Sequence, residues 1–174
     1  MIKKIKFRKV KILLGAFISL LLFLSSFYFL LKPEFFIRNV FTKVIIIQIL
    51  GVIGMIYFLA LFYSILNLFS RKYAIIITDE FLIDNSKYES FGKVDWNTIL
   101  RIEKFKKKSI QIFVDENVIK NQKMNILENF LVLMHNWNYK RSIIISNALL
   151  DCSIEQLYEE IILAHEKHKK TINN

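Results

Sequence analysis

The sequence predicts an α+β membrane protein, in which an N-terminal two-helix transmembrane hairpin precedes an antiparallel sheet or partial barrel with a C-terminal helix. Three observations predict this class. The 174 residues are 54% apolar yet 23% charged, so membrane-spanning segments and a water-facing part must share the chain. Two long uncharged runs lie within the first 70 residues. Short apolar stretches separated by polar turns follow them, which is typical of an antiparallel sheet.

The formal net charge of +10 is concentrated beside the apolar runs. Residues 1–11 carry six basic residues and no acidic one, whereas from Arg71 onward 16 basic residues stand against 14 acidic ones. Basic clusters beside a membrane segment favour a defined insertion topology and contact with anionic headgroups. We therefore interpret residues 1–11 as a basic cytoplasmic N-terminus, and we expect the lipid bilayer, but no nucleic acid, as a partner.

The two uncharged runs predict helices at about 12–31 and 44–70, which form a transmembrane hairpin over residues 12–70. Twenty residues at 1.5 Å rise span about 30 Å, the thickness of the hydrocarbon core. In the loop between them, Phe35, Phe36 and Phe41 suit the boundary between headgroups and lipid tails. A cleaved signal peptide is the alternative for the first run. Its length and the lack of a small-residue cleavage site oppose that alternative.

The distribution of basic residues also predicts the orientation. Six basic residues precede the first helix and Arg71-Lys72 follow the second, against three in the hairpin loop. By the positive-inside rule, we expect a multi-pass protein of the cytoplasmic (inner) membrane with both termini and the C-terminal domain in the cytoplasm. A reporter fused after Asn174 would then lie in the cytosol.

Gln48, Gly51 and Gly54 form a candidate helix–helix contact on the second predicted helix. Small residues let helix backbones approach closely, and amide side chains form hydrogen bonds between helices. The helix that packs there belongs either to another protein or to the first helix of this chain. Neither predicted transmembrane helix contains a charged residue, which argues against an ion pathway or transport site.

The remaining sequence, residues 73–170, predicts the cytosolic domain. Apolar alternation between turn residues predicts six strands: Tyr73–Thr78, Phe81–Asp84, Tyr88–Val94, Ile99–Phe105, Ser109–Val114 and Ser142–Ser146. A helical period between Asn117 and Trp137 predicts an inserted helix. Ser153 and Gln156 form a capping-box pattern that opens the last helix, whose apolar face should close over the sheet.

Several stretches resemble one known family. They are IIITDEFLIDNS at residues 75–86, FGKVDWNTI at 91–99, and the segments 143–150 and 153–158. The chain is similar over nearly its whole length to an uncharacterised family of small bacterial membrane proteins with two N-terminal helices and a pleckstrin-homology-like (PH-like) cytosolic domain. The resemblance implies a PH-like fold and this topology, and it carries over no catalytic residue.

The titratable residues predict little chemistry. His165 and His168 have the i, i+3 spacing of a shared metal site, but a solvated helix end is the favoured interpretation. His135 and Cys152 are expected to be structural, and one cysteine excludes an intrachain disulfide. Phosphate-binding and nucleophile-elbow motifs are absent from the sequence. We therefore expect a protein that is not an enzyme, with no catalytic, cofactor-binding or metal-binding residues and no cofactor.

Two features are candidates for binding. Lys104, Lys106, Lys107 and Lys108 surround a predicted hairpin turn and are a possible lipid headgroup contact, because each lysine near an anionic surface contributes about 1 kcal/mol. A merely solubilising loop is the alternative. The Asp95-Trp96 pair is either a recognition anchor or, in the favoured interpretation, a core residue beneath a bend.

These features favour a membrane-tethered, noncatalytic PH-like binding module for an unknown protein partner or an anionic lipid. Two alternatives stay open. The resemblance suggests a self-immunity protein that protects the bacterial membrane against a bacteriocin or toxin. The glycine-containing face of the second helix suggests an accessory subunit of a larger membrane complex.

Overall fold

The computed structural model describes residues 2–37, 43–120, 122–136 and 142–172, without the side chains of 119, 120, 135, 136 and 172. The chain divides into two compact units. The helical unit is Val10–Asn67, and the sheet domain combines Met1–Lys9 with Leu68–Asn174. The described residues therefore confirm the α+β class, with two apolar helices near the N-terminus and two antiparallel sheets.

The helical unit contains all but the end residues of α1 (Lys9–Leu31) and α2 (Val44–Phe69), which confirm the two predicted apolar helices. Both are long and apolar enough to cross a membrane, with mean hydropathies of 2.3 and 2.7. A 3₁₀ turn at Pro33–Phe36 follows α1, and its Phe36 ring lies 4.3 Å from that of Phe29. The third aromatic residue predicted for this loop, Phe41, lies outside the described residues.

The described residues of the sheet domain form seven strands. They form a four-stranded sheet in the order β1-β2-β3-β4 and a three-stranded sheet in the order β5-β6-β7, with every neighbouring pair antiparallel. The strands are β1 (Lys3–Ile5), β2 (Ile75–Ile77), β3 (Phe81–Asp84), β4 (Gly92–Asp95), β5 (Ile99–Phe105), β6 (Ser109–Val114) and β7 (Ser142–Ser146). The predicted bounds of β3, β5, β6 and β7 are confirmed.

The strand β1 was not predicted, and it places part of the basic N-terminal segment in the sheet. Lys3 is paired with Ile77 and Ile5 with Ile75, so β1, which precedes the helical unit in the sequence, pairs with β2, which follows it. Two of the basic side chains bind carboxylates of the same domain. Lys3 Nζ lies 2.6 Å from Glu160 Oε1, and Arg8 Nε lies 3.0 Å from Asp151 Oδ1.

The predicted strand at Tyr88–Val94 was placed too early, since β4 begins at Gly92. The residues before it form a loop that the guanidinium of Arg71 holds. Arg71 Nη1 donates to the carbonyl oxygens of Asn85 at 3.1 Å and Lys87 at 2.6 Å, and Nη2 donates to that of Tyr88 at 3.3 Å. These carbonyls therefore do not join a sheet ladder. The strand predicted at Tyr73–Thr78 is also shorter, at Ile75–Ile77.

The single helix predicted between Asn117 and Trp137 is in fact two helices, α3 (Glu116–Lys120) and α4 (Ile126–Asn136). A capping box starts α4. Asn125 Oδ1 accepts from the Glu128 backbone N–H, and Glu128 Oε2 accepts from the Asn125 N–H, both at 2.8 Å. Such reciprocal bonds satisfy the free N–H groups of a new helix and so fix its first residue. Trp137 lies outside the described residues.

The last helix, α5 (Ile154–Ile172), begins as predicted. The Ser153 N–H donates to Gln156 Oε1 and the Gln156 N–H donates to Ser153 Oγ, both at 3.1 Å. Leu157 and Ile161 are fully buried, and α5 contacts β2 of one sheet and β6 of the other. The helix thus closes a core shared by the two sheets, as its apolar spacing predicted.

Candidate functional site

The basic hairpin turn predicted from the sequence joins β5 to β6. Phe105 is paired with Ser109, so Lys106, Lys107 and Lys108 form a three-residue loop. Lys106 has a φ of +53°, the left-handed conformation that three-residue hairpin loops typically contain. The Lys108 carbonyl accepts from the Asn147 N–H at 3.1 Å and from Ser146 Oγ at 3.2 Å. These bonds hold the turn in place against the end of β7.

The four lysines of this basic turn, Lys104, Lys106, Lys107 and Lys108, are all exposed. Lys104 Nζ lies 5.1 Å from the ring centre of Tyr158, and Lys106 Nζ lies 5.1 Å from that of Phe105. These rings do not neutralise the positive charge. Among the described residues, none of the four side chains forms an ion pair, so the turn presents concentrated positive charge to an anionic group.

Gly51 and Gly54, which belong to the predicted helix–helix contact on α2, face α1 of the same chain. A Cβ atom on Gly51 would lie 3.0 Å from Leu30 Cγ and from the Ser26 carbonyl oxygen. On Gly54 it would lie 2.5 Å from Ser26 Oγ. The two glycines therefore allow α1 and α2 to approach closely, and α1 occupies the face offered for a partner helix. Gln48 is half-buried one turn earlier.

A cavity of about 350 Å³ between α5 and the edge of the first sheet was not predicted. Ile77, Leu163 and Ala164 supply its apolar lining. Two ion pairs also line the cavity, namely Lys3 with Glu160 and Lys167 with Asp79, the latter at 2.8 Å. The pKa of the exposed Asp79 carboxyl is lowered to about 2, and the hydrogen bond from Lys167 is the largest cause. No local signal points to this cavity, because β1 contributes to it from far away in the sequence.

The two histidines of α5 do not converge on a shared position. His168 Nδ1 lies 3.0 Å from the Asp79 carbonyl oxygen, and His168 Nε2 lies 2.9 Å from Asn97 Oδ1. His165 instead is buried, with its ring centre 5.9 Å from that of Trp96. Within the described residues, no three His, Cys, Asp or Glu side chains are grouped as metal ligands. The side chain of His135 lies outside that description.

Burial controls the protonation of His165. Its Nε2 atom is buried without a hydrogen-bond partner, and burial, followed by the charge of Lys169, lowers its pKa. The imidazole of His165 therefore takes up a proton less readily in the folded protein than in the unfolded chain, where the pKa of histidine is about 6.5. The contribution of neutral His165 to the free energy of unfolding is therefore fully present above about pH 6.5, where the histidine is neutral in both states. It is lost as the pH falls through the lower pKa of the folded protein, because the unfolded chain takes up the proton first.

We expect His165→Phe to remove part of the acid sensitivity of the protein. The measurement is urea denaturation of the full chain in mild detergent at pH 7.5 and pH 5.5. The wild type should lose more stability between these pH values than His165→Phe, because only the wild type contains the buried imidazole. Comparing the two proteins also cancels the contribution of Asp84, whose pKa burial raises. Equal losses would contradict a role for His165.

Cys152 and Trp96 both lie in surroundings that are typical of structural residues. Cys152 is half-buried, and burial together with the Asp151 charge raises the pKa of its thiol, which disfavours the reactive thiolate. Trp96 is 1% exposed and its Nε1 donates to the Thr78 carbonyl oxygen at 2.9 Å. It is therefore a core residue beneath the bend between β4 and β5, as favoured from the sequence.

The chain matches no family model, no curated protein and no solved structure. The residues of this chain and their geometry therefore carry the functional proposal.

Proposed function

We propose that the protein is a membrane-tethered, noncatalytic binding module whose PH-like sheet domain holds a protein or lipid partner with anionic groups. One observation carries the proposal: the basic turn presents four exposed lysines that form no ion pair among the described residues. Their positive charge stays available for an anionic group. The turn is also fixed by the Lys108 carbonyl bonds, so a partner need not order it.

The arrangement of the sheets supports the PH-like part of the proposal. A four-stranded and a three-stranded antiparallel sheet share one core, and α5 contacts both of them. The antiparallel pairing and the closing C-terminal helix support the PH-like fold that the resemblance implies. A small domain of this kind offers loops and sheet edges as binding surfaces on a rigid scaffold.

The chain connections support the membrane-tethered part of the proposal. Three residues, 6–8, separate β1 from α1, and five residues, 70–74, separate α2 from β2. At no more than about 3.6 Å per residue, neither connection is long. If α1 and α2 cross the cytoplasmic membrane with both termini inside, the domain is held to its inner surface by two short connections. The excess of basic residues outside the hairpin loop favours that orientation.

We expect charge reversal in the basic turn to abolish partner binding. The variant is Lys107→Glu with Lys108→Glu, whose side chains are exposed and whose backbone bonds are retained. Tagged wild type and variant are crosslinked in the native membrane, purified in mild detergent, and analysed for bound protein and phospholipid. The wild type should retain one enriched partner or anionic lipid, and the variant should lose it.

The matched control is Lys169→Glu with Lys170→Glu in the last turn of α5. This control changes the net charge by the same amount as the variant in the basic turn, and its two lysines are also exposed. This control should retain the partner. Equal loss in both variants would show that only the total charge matters, and equal retention in both would reject the basic turn as the binding site.

A further inference from the structure

The buried side chains of α5 divide this helix into two parts. Ile154, Leu157 and Ile161 anchor its first part in the core, and each of them is at most 6% exposed. After Ile161, the only buried side chain among the described residues of the helix is that of His165. We call residues 165–171 the terminal segment of α5. This segment therefore lacks the apolar anchors that hold the first part of the helix.

Surface contacts hold the terminal segment of α5 to the domain. Lys167 forms an ion pair at 2.8 Å with Asp79 on the turn between β2 and β3. His168 lies 3.0 Å from the Asp79 carbonyl oxygen and 2.9 Å from Asn97 Oδ1. Both side chains of the ion pair are more than half exposed, and exposed ion pairs contribute little to stability. The position of the terminal segment therefore depends strongly on the burial of His165.

The surroundings of the His165 imidazole favour its neutral form. The ring lies against a 3₁₀ turn at Trp96–Thr98, with its centre 5.9 Å from that of the Trp96 ring. Its Nε2 atom is buried without a hydrogen-bond partner. A proton on this imidazole would place a positive charge beside an uncharged indole that is 1% exposed. Burying a charge without an anionic partner is strongly unfavourable.

The titratable groups that act on His165 lie on α5 itself. Lys169 and His168 oppose protonation of the imidazole, whereas Glu166 favours it. From the facing strand β5, a hydrogen bond with the Ile99 backbone also favours protonation. Burial is the largest of these effects, and the pKa of His165 is lowered. The packed imidazole is therefore neutral where an exposed histidine already begins to take up a proton.

We propose that acid releases the terminal segment of α5 from the core, because the imidazole of His165 leaves its buried position when it takes up a proton. At neutral pH the imidazole is uncharged and stays beside Trp96. As the pH falls below about 6.5, the usual pKa of an exposed histidine, the released form is favoured because water solvates the cation there. Leu157 and Ile161 keep the first part of the helix in place.

Release of the terminal segment uncovers apolar surface in two places. Lys167 and Lys170 of this segment line the cavity whose apolar lining includes Ile77 of β2, so the cavity opens when the segment leaves. The indole of Trp96 loses the ring that packs beside it. The fold thus contains a pH-sensitive device that goes beyond the proposed function. It depends neither on the basic turn nor on the membrane, so its failure would leave that proposal unaffected.

The experiment measures how readily acrylamide reaches the Trp96 indole of the full chain in mild detergent. Trp137→Phe removes the other tryptophan of the sequence, so that the fluorescence reports Trp96 alone. Acrylamide quenching constants are determined between pH 7.5 and pH 5.0, and far-ultraviolet circular dichroism at each pH reports whether the fold is retained. Three further substitutions are compared in this background: His165→Phe, Lys169→Gln and Lys170→Gln.

We expect the quenching constant to rise severalfold on acidification while most of the circular dichroism signal is retained. His165→Phe should abolish the rise. Lys169→Gln, at an exposed position, should move the rise to higher pH because it removes a cation that opposes protonation of His165. Lys170→Gln is the matched control, since it removes the same charge at the next exposed position, and it should leave the midpoint unchanged.

Three results would overturn the inference. The first is a quenching constant that stays constant on acidification or rises only together with loss of the circular dichroism signal. The second is an undiminished rise in His165→Phe. The third is a midpoint that Lys169→Gln leaves unchanged, and this result decides the matter even if His165→Phe fails to fold.

Discussion

Trp96→Ala should lower the free energy of unfolding of the sheet domain by about 3–5 kcal/mol, the usual range for removing a large aromatic side chain from a core. The indole is 1% exposed, so its removal leaves a cavity between the bend and α5. The Thr78 carbonyl oxygen also loses its donor from Trp96 Nε1. The measurement is the urea denaturation of the full chain in mild detergent, with far-ultraviolet circular dichroism as the signal, and the variant should have the lower midpoint concentration.

Trp96→Phe separates the two contributions to this effect. Phenylalanine keeps an aromatic ring in the core but cannot donate to the Thr78 carbonyl, and an unpaired buried carbonyl costs about 1–3 kcal/mol. We expect a stability between those of the wild type and Trp96→Ala. If Trp96→Ala were as stable as the wild type, the indole would not be a core residue, and its alternative role as a recognition anchor would need a binding measurement.

The sequence predicted well those elements whose signals are local. The strands at Phe81–Asp84 and Ser109–Val114 have their predicted bounds because apolar alternation and turn residues both lie within a few positions. The start of α5 was predicted from Ser153 and Gln156, whose reciprocal bonds join residues three apart. The two membrane-length helices were equally evident, since length and hydropathy alone define them.

The missed elements depend on contacts that are distant in the sequence. The strand β1 has only three residues, two of them lysines, and it forms only by pairing with β2, which follows about 70 residues later in the sequence. The loop before β4 depends on the guanidinium of Arg71. The start of α4 is different, because the Asn125 and Glu128 pattern is local and was available in the sequence.

The candidate sites also divide into those with a local sequence signal and those that depend on distant contacts. The lysines of the basic turn were found because they are adjacent, and the three-residue loop follows from the bounds of β5 and β6. The apolar lining of the cavity could not be predicted, because it joins β2 to α5. The exposure of Ile126 and Leu133 on α4 was also not predicted, since periodicity alone shows that a helix has an apolar face but does not show whether the core covers it.

Gly51→Leu with Gly54→Leu should separate α1 from α2 and is the largest change expected in the helical unit. The structure has no room for a side chain at either position, because even a Cβ atom would lie 3.0 Å from the Ser26 carbonyl oxygen at Gly51 and 2.5 Å from Ser26 Oγ at Gly54. Overpacking of this kind typically costs about 1–3 kcal/mol per site. We expect a lower thermal denaturation temperature in mild detergent and loss of a disulfide crosslink engineered between the two helices.

Gly15→Leu is the matched control, because it adds the same side chain to the same pair of helices. A Cβ atom on Gly15 meets only Ile65, with Cδ1 at 3.6 Å and Cγ2 at 4.0 Å, which are ordinary van der Waals distances, so this variant should keep its crosslink and most of its stability. The comparison also tests the accessory-subunit alternative. If the double variant kept the crosslink but lost a co-purifying protein, the glycines would serve a partner helix. Loss of the crosslink itself would show that their first role is to hold the hairpin together.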